Sequence, residues 1–561
     1  MSASRERKKR VDQTAVEQPT VKKSKKLSEG WIFAISVVLV LALVIGGLLI
    51  YRHHQAHATI LTVGGHEIEG CEYSYYYCDL AQYLGSYPTY FGIDSSVSLE
   101  DQKVSSSGAS MATYLIGLDI SYLEGKTPDD KGNYNVTWAE LLADAAMRNA
   151  ASTYAVYQKA TEAGYTLDDE ALTEIDESLA SLRTQAKTYN KSLDEYIEAV
   201  YGRDCDEAGY RSYLKVRYTA SNYIGSLEYT DAELAARYDQ TPEEFDTVAF
   251  YSYSVSASTV KAELEAAATT EGTTEEEPTE APTEEETTEA PTEEETTEAP
   301  AEDESEEDPD KNDKLAQNQA NAMAENFDID NSNVRIYADY TRELLKENAS
   351  FGEEMANWLF DEAKAGDAKV FTIEPAEGAT DGETTYTVVK LIARENYNTY
   401  NYITITVADD AADAELEEGE LTADEKVAQI EAALTEDGSE ENFRKQVLFS
   451  IGHEEEEGSD HDHSAEGVTE NASRSTLAST SKELYHWLAV DGAKAGTWKK
   501  VELSTSTVFY FYLGEGEDYR SVCVENTLTE EWYTEITEAA IAACDFDKKA
   551  ALNIDRAGYF K

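Results

Sequence analysis

Histidine and carboxylate side chains concentrate at one place in the C-terminal part of the chain. His453, His461 and His463 lie among the acidic residues of the stretch 453–466. Imidazole nitrogens and carboxylate oxygens are ligands that Zn²⁺ and other divalent ions accept. Because no tetrahedral spacing is fixed here, a solvated acidic loop is the better prediction. The three histidines are weak metal candidates, and the sequence predicts no cofactor.

Nucleophilic chemistry has little support in the residue pattern. The chain has five cysteines, an odd number that argues against a disulfide framework. Cys71 and Cys78 are seven residues apart on a predicted helix, and we expect two free thiols there. No Gly-x-Ser-x-Gly motif and no phosphate-binding glycine loop occurs. A triad of residues distant in sequence stays open, but no catalytic residue is predicted.

A tyrosine-rich segment near the N-terminus has the spacing of one helical face. Its apolar positions are Tyr73, Tyr76, Tyr77, Leu80 and Leu84. Such a stripe is more often part of a core than a binding surface, although tyrosine also suits adaptable interfaces. The stripe is therefore either a core face or a binding surface.

The elements that follow are mostly helical as far as about residue 237. Residues 92–135 are rich in Ser, Gly and Asp, and we expect them to form a long loop. Three helix starts are predicted where a hydroxyl precedes an acid by three residues, the arrangement of a capping box. These pairs are Thr166 with Asp169, Ser192 with Glu195, and Thr230 with Glu233.

The C-terminal half reads as one small domain used twice. A tryptophan-led segment occurs at 358–366 and again at 487–496, and each copy closes a similar run of elements. The predicted first strands are Val248–Val255 and Tyr402–Val407, and the predicted last strands are Tyr386–Leu391 and Val508–Leu513. Each copy combines strands with a polar helix and follows a helical region, and the fold class is predicted to be α+β.

Each copy is interrupted after its first strand. In the first copy, three Thr-, Glu- and Pro-rich units of nine residues begin at Thr274, Thr283 and Thr292. A segment with so few apolar residues cannot offset its ordering entropy, so the insert 264–312 is predicted to be disordered. The second insert, 453–468, is acidic and contains the histidines named above.

Charge and hydropathy divide the chain into a short basic tail and a large acidic remainder. The formal net charge is -66, which argues against a nucleic-acid partner. Residues 31–51 contain no charge and are long enough to form a transmembrane helix. The Lys- and Arg-rich residues 1–30 then mark the cytoplasmic side, with the remainder outside the cell membrane. A cleaved signal peptide ending near Ala58 is the competing interpretation.

Several segments together suggest a family. Glu72-Tyr-Ser-Tyr-Tyr-Tyr, Gly164-Tyr-Thr-Leu-Asp-Asp-Glu and Tyr229-Thr-Asp-Ala-Glu-Leu resemble the N-terminal chaperone domain of the SurA and PrsA foldases. The C-terminal pieces look like two parvulin domains. The resemblance implies a helical chaperone-like domain at 59–244, to which a C-terminal helix at 528–545 returns. It implies parvulin-like domains at 245–397 and 398–527.

The resemblance also implies a function, with one important departure. Members of this family bind unfolded secreted proteins outside the cytoplasmic membrane, and many accelerate X-Pro isomerisation. Active parvulins have a histidine on the first strand and another on the last. This chain has no histidine between His66 and His453, and none on the strands Tyr402–Val407 and Val508–Leu513. We therefore do not expect either repeat to isomerise proline.

These observations lead to one hypothesis and two alternatives. The leading hypothesis is a single-pass, membrane-anchored extracytoplasmic chaperone with little or no isomerase activity. Its partners are unfolded or nascent secreted polypeptides, and the tyrosine-rich stripe is the predicted client-binding surface. The first alternative is an active parvulin-type prolyl isomerase that uses other residues. The second is a structural or adhesive protein of the cell envelope, with the Thr/Glu/Pro tract as a spacer.

Overall fold

The structure is a computed structural model that describes residues 44, 51, 53–271, 309–375, 383–410, 421–452 and 465–554. It contains both helices and sheets, so the predicted α+β class is confirmed. Apart from residues 44 and 51, the predicted transmembrane segment 31–51 lies outside the described part. Within that part, no helix combines the length and the apolar character needed to cross a membrane.

The chain divides into two compact units. The first unit comprises Met1–Leu227 and Thr529–Lys561, and the second comprises Glu228–Leu528. The boundary near residue 528 falls inside one long helix, Tyr519–Ala543, so the chain leaves the second unit and enters the first without a loop.

Helices dominate the first unit, with two small sheets beside them. Its strands are β1 (Thr59–Val63), β2 (His66–Glu69), β3 (Lys103–Ser105) and β4 (Asn133–Thr137). Its helices are α1 (Gly70–Ser86), α2 (Ser106–Ile116), α3 (Trp138–Ala163), α4 (Asp169–Thr188), α5 (Leu193–Tyr201) and α6 (Glu207–Gly225). The C-terminal strand Asp545–Phe546 pairs antiparallel with β1, and a last short helix is Lys548–Leu552.

Capping residues show where sequence chemistry sets the helix boundaries. Ser192 with Glu195 and Thr230 with Glu233 form the predicted capping boxes. The prediction for Thr166 is wrong, because the carboxylate of Asp168 accepts the backbone bond from Ala171 and caps α4 instead. The prediction of a loop at 92–135 is also wrong. Those residues contain β3, α2 and β4, which a Ser- and Gly-rich composition concealed.

The second unit begins with α7 (Asp231–Tyr238) and then contains two repeats of one topology. Repeat 1 comprises β5 (Thr247–Ser256), α8 (Ala257–Glu271), α9 (Pro309–Glu325), β6 (Arg335–Thr341), α10 (Arg342–Glu347), α11 (Gly352–Asn357), β7 (Ala368–Ile373) and β8 (Thr385–Ala393). Repeat 2 comprises β9 (Asn398–Ala408), α12 (Ala423–Glu436), α13 (Glu440–Ser450), β10 (Val468–Ala472), α14 (Arg474–Thr480), α15 (Lys482–Tyr485), β11 (Thr497–Glu502) and β12 (Ser506–Asp518). The helix α16 (Tyr519–Ala543) follows.

Both repeats build a four-stranded antiparallel sheet in the same order. The order is β6-β5-β8-β7 in repeat 1 and β10-β9-β12-β11 in repeat 2, so the second strand stands at one edge and the third at the other. Apolar side chains cover both faces of each sheet. In repeat 1, Phe250 and Val389 face α10 and α11, whereas Tyr253 and Val388 pack with residues of α8 and α9.

The insert predicted to be disordered is helical at both of its described ends. In the insert 264–312, α8 continues to Glu271 and α9 begins at Pro309. The prediction of disorder is therefore wrong there, and its remaining residues, 272–308, lie outside the described part. In the insert 453–468, residues 453–464 lie outside it as well, and β10 begins at Val468.

The two tryptophan segments occupy matching positions. Each forms one turn of π-helix, Trp358–Glu362 in repeat 1 and His486–Val490 in repeat 2. Each then ends in a glycine whose backbone N–H donates to the last strand, Gly366 to Leu391 and Gly496 to Tyr512, both at 2.8 Å. Trp358 is buried in the core of repeat 1, and Trp487 is half-buried and packs against the core of repeat 2.

Candidate functional site

An apolar groove opens on the first unit where α1 ends. Its volume is about 750 Å³, within the range of ligand sites. All of its lining residues are aromatic or aliphatic: Tyr83, Tyr87, Tyr90, Phe91, Leu115 and Ile116. We call this feature the tyrosine groove.

The rim of the groove leaves large side chains in contact with solvent. Tyr83, Tyr87 and Tyr90 are 60%, 59% and 62% exposed, and Leu115 is 46% exposed. Phe91, by contrast, is fully buried and forms the floor. Single exposed aromatic residues are ordinary, but a concave group of them marks a surface that binds something apolar.

The local sequence builds the groove through a tight turn. Pro88 begins a 3₁₀ turn, Pro88–Phe91, which ends at Gly92 with a positive φ of 69°. The helix α2 then packs closely on this turn, because a Cβ at Gly108 would lie only 2.3 Å from the Phe91 carbonyl oxygen. A glycine at position 108 therefore allows α2 to bring Leu115 beside the tyrosines.

The chemistry of the groove suits binding rather than catalysis. Tyr87 and Tyr90 meet edge to face, with ring centroids 6.2 Å apart. Their rings offer apolar area, and their hydroxyls can bond to a polypeptide backbone. Because the lining side chains are apolar or phenolic, the groove offers neither a strong general base nor a carboxylate. Its geometry fits an extended apolar segment whose sequence is not strictly specified.

The residues predicted from sequence as client-binding lie in the core and not in the groove. Tyr73, Tyr76, Tyr77 and Leu84 are buried, and Leu80 is half-buried, all within the core of the first unit. They serve as core residues, so no binding surface is assigned to them. Tyr83 lies next to the stripe on α1, but Tyr87 and Tyr90 follow the end of the helix, so helical spacing alone does not group the three tyrosines.

The buried face of α1 also contains a carboxylate surrounded by hydroxyls. Asp79 Oδ2 accepts hydrogen bonds from Tyr213 Oη at 2.6 Å and Arg217 Nη1 at 3.2 Å, and Oδ1 accepts one from Tyr201 Oη at 3.2 Å. Burial raises the pKa of Asp79, and these bonds offset only part of that rise. Tyr201 and Tyr213 are core residues whereas Arg217 is exposed, and together they link Asp79 of α1 to α5 and α6.

The central strands of both repeats have non-histidine pairs at matching positions. Ser254 on β5 pairs with Thr387 on β8, and their hydroxyl oxygens are 3.0 Å apart. The corresponding pair in repeat 2 is Thr406 on β9 and Val508 on β12. The two pairs match because Thr387 and Val508 each stand four residues before the strand residue whose carbonyl accepts the glycine hydrogen bond. Those residues are Leu391 and Tyr512. Hydroxyl and methyl groups at these positions lack the proton-transfer capacity of imidazole.

His486 is the histidine of the repeats that the structure describes, and it lies in a contact between them. Its Nε2 is 2.9 Å from the hydroxyl of Tyr251 in repeat 1. Burial and then the nearby Lys482 ammonium lower the pKa of His486, while burial raises the pKa of Tyr251 to about 12. A polar pocket of about 250 Å³ lies beside it, lined in part by Asp330 and Lys482.

The predicted metal candidates and cysteines have different outcomes. His453, His461 and His463 lie outside the described residues. In the described part, one group of three potential ligands comes together instead: His53, His57 and Asp204, with donor atoms all within 4.8 Å. The predicted free thiols at Cys71 and Cys78 are confirmed. Cys71 lies against Cys205, with Sγ atoms 2.7 Å apart.

No protein-family model matches the chain, and no curated protein matches it. Its function is therefore inferred from its own residues.

Proposed function

We propose that the protein is a foldase-like chaperone, anchored by residues 31–51 with its two units outside the cytoplasmic membrane. It binds unfolded or extended segments of secreted polypeptides and does not isomerise proline appreciably. The observation that carries this proposal is the tyrosine groove, where Tyr83, Tyr87 and Tyr90 keep more than half of their surface exposed around a buried floor.

Binding by this groove needs no sequence specificity. Apolar side chains of a client are removed from water against the tyrosine rings, at about 25 cal/mol per Å² of apolar area. Tyrosine has few rotatable bonds, so little conformational entropy is lost when its ring becomes fixed. Clients are therefore held and released passively, without a nucleotide.

The charge of the chain supports the same function. Its formal net charge of -66 gives the protein a repulsive field that keeps complexes with partly unfolded clients apart from one another. The acidic Thr/Glu/Pro units between residues 274 and 300 contribute to this field. Such a surface favours solubility of the complex over tight binding of any anionic partner.

The repeats support binding without isomerisation. The barrier to X-Pro rotation is about 18–20 kcal/mol, and lowering it requires groups that stabilise a twisted amide. The positions described above have Ser254 with Thr387 and Thr406 with Val508, and the resemblance to parvulins would place histidines on the first and last strands. We infer that the repeats serve as scaffolds that present binding surfaces.

Suppression of aggregation tests the proposal. The full chain is mixed at stoichiometric amounts with a chemically denatured test protein, and light scattering is followed after dilution. We expect suppression by the native chain and its loss in a double variant with Tyr87→Ser and Tyr90→Ser. The matched control carries Tyr189→Ser and Tyr533→Ser, which also removes two exposed tyrosines but outside the groove.

The outcomes separate the alternatives. No suppression by the native chain would refute the chaperone proposal and favour a structural or adhesive protein. Equal loss in both double variants would remove the groove from the mechanism. A protease-coupled assay on a proline peptide tests the isomerase alternative, since a rate enhancement that disappears on changes within one repeat would contradict binding alone.

A further inference from the structure

We propose that His53, His57 and Asp204 form a binding site for one Zn²⁺ ion on the first unit. His53 Nδ1 lies 2.6 Å from Asp204 Oδ2, and His57 Nε2 lies 3.9 Å from the same oxygen. The three ligand atoms are all within 4.8 Å of one another. This site is independent of the tyrosine groove and of the proposed chaperone function.

The separations fit the dimensions of a zinc site. Zn²⁺ binds imidazole nitrogen and carboxylate oxygen at about 2.0–2.2 Å, so tetrahedral ligand atoms are about 3.3–3.5 Å apart. The observed distances of 2.6 and 3.9 Å lie on either side of that value. Small side-chain rotations can therefore form the site. Three protein ligands leave a fourth position for water.

Local sequence places the two imidazoles on one side of a helical turn. Residues 53–56 are helical, and His53 and His57 are four residues apart, the spacing at which helical side chains are neighbours. Their ring centroids are 4.7 Å apart. His54 is also exposed and belongs to the same turn, but it is not part of the group.

A second carboxylate orients His57 as it would a metal ligand. His57 Nδ1 lies 2.8 Å from Glu69 Oε2, and the tautomer that donates there leaves Nε2, which is 3.9 Å from Asp204 Oδ2, with a lone pair for a metal ion. Metal-binding histidines usually donate their other ring nitrogen to a carboxylate or carbonyl in this way. The imidazole of His57 has a carboxylate near each ring nitrogen, Glu69 at Nδ1 and Asp204 at Nε2. An ordinary surface ion pair needs only one.

The surrounding chain holds the ligands near each other. A Cβ at Gly70 would lie 2.5 Å from the Gln55 carbonyl oxygen, so a glycine allows the 53–57 segment to lie against the start of α1. On the other side, Cys205 contacts Cys71, which keeps the turn containing Asp204 close to Glu69. Arg203 Nε lies 3.9 Å from Oδ1 of Asp204, the oxygen that does not face the imidazoles.

Metal binding by the untagged full chain tests the site. The parent carries His453→Ala, His461→Ala and His463→Ala, so that the acidic loop does not contribute imidazoles. Co²⁺ is titrated as a spectroscopic probe, and Zn²⁺ affinity is measured by competition with a chromophoric chelator. We expect one equivalent, with visible bands of a cobalt site that has nitrogen and oxygen ligands.

Single substitutions then assign the ligands. His53→Ala, His57→Ala and Asp204→Asn should each lower the affinity for Zn²⁺ at least tenfold, and Glu69→Gln should lower it by about 10- to 100-fold through the orientation of His57. His54→Ala is the matched control and should leave it unchanged. No stoichiometric Zn²⁺ binding by the parent, or undiminished binding by His57→Ala, would overturn the proposal. So would an intense near-ultraviolet thiolate-to-cobalt band, because it would assign the ion to Cys71 or Cys205.

Discussion

The helix α1 contributes to two groups of tyrosines, one buried and one exposed. The buried tyrosine cluster packs around Asp79 and consists of Tyr75, Tyr76, Tyr201, Tyr210 and Tyr213. The tyrosine groove begins one turn before the end of the same helix and leaves its rings in water. Residue type is the same in both, so what differs is whether neighbouring helices cover the ring. The buried cluster stabilises the unit, and the groove is free to bind.

The largest expected effect follows from removing a ring of the buried cluster. Tyr213→Ala leaves a cavity and takes a hydroxyl donor from Asp79. We expect the free energy of unfolding to fall by about 3–5 kcal/mol, as for other large-to-small core substitutions. Urea denaturation of the full chain, followed by protease susceptibility of the first unit, measures this.

A matched variant separates packing from hydrogen bonding at this position. Tyr213→Phe keeps the ring and removes only its hydroxyl, so we expect a loss of about 1–3 kcal/mol. A change of less than about 1 kcal/mol in Tyr213→Ala would break the comparison, because Tyr213 would then behave like a tyrosine of the groove.

A charge placed in the groove should weaken binding and leave stability almost unchanged. Leu115→Asp puts a carboxylate among the lining side chains, and a bound apolar segment would have to desolvate it. We expect affinity for an unfolded apolar segment to fall at least tenfold, which corresponds to about 1.4 kcal/mol. Stability should change by less than about 0.5 kcal/mol, since Leu115 is 46% exposed.

The control for that variant is a leucine elsewhere on the first unit. Leu172 on α4 is 37% exposed and does not line the groove. Leu172→Asp adds the same charge, so binding measured by fluorescence anisotropy of a labelled unfolded peptide should stay at the native value. If both variants bind equally weakly, the loss comes from net charge and the groove is not the binding site.

The part of the fold that sequence predicts is the part set by local chemistry. The capping boxes at Ser192 and Thr230 depend on residues three apart, and the structure contains both. The α+β class follows from periodicity over single elements. Helix α2 was missed because its Ser- and Gly-rich sequence resembles a loop, and its position depends on close packing at Gly108.

The candidate site was less accessible to sequence reasoning. Periodicity identifies the stripe with Tyr73 and Tyr76. It cannot say that helices cover this stripe, whereas the residues around the turn at Pro88 stay exposed. Similarly, His53 and His57 have a metal-binding spacing in the sequence, yet Asp204 joins them only through the tertiary fold. Contacts between residues more than a hundred positions apart leave no local pattern.

Asp79 gives a smaller effect that depends on pH. Its pKa is raised by burial, so the folded state takes up a proton more readily than the unfolded state. Its contribution to stability is therefore greatest below the unfolded pKa of about 3.9 and is lost as pH rises through the folded pKa. Asp79→Asn keeps an oxygen for the tyrosine hydroxyls and should remove this slope, with a change of about 1 kcal/mol at neutral pH.

The check is a series of urea denaturation curves between pH 4 and 7. The native chain should lose stability across this window relative to Asp79→Asn. Parallel curves for the two proteins would contradict the raised pKa and would make Asp79 an ordinary exposed carboxylate. The buried cluster would then differ from the groove by packing alone.

The smallest expected effect concerns Tyr251, a buried tyrosine whose hydroxyl meets a titrating partner. Burial and Lys482 lower the pKa of His486, so the unfolded state binds a proton first as pH falls below about 6.5, and stability falls with it. Because His486 is partly exposed, solvent screening limits the effect to less than about 1 kcal/mol. His486→Phe should abolish the pH dependence of the free energy of unfolding of the second unit between pH 5 and 7. Tyr251→Phe should retain it, because the hydroxyl bond is not what lowers the pKa of His486. If Tyr251→Phe also abolishes this pH dependence, the hydrogen bond between Tyr251 and His486 determines the pKa of His486. A buried tyrosine would then act through its hydroxyl and not only through its ring.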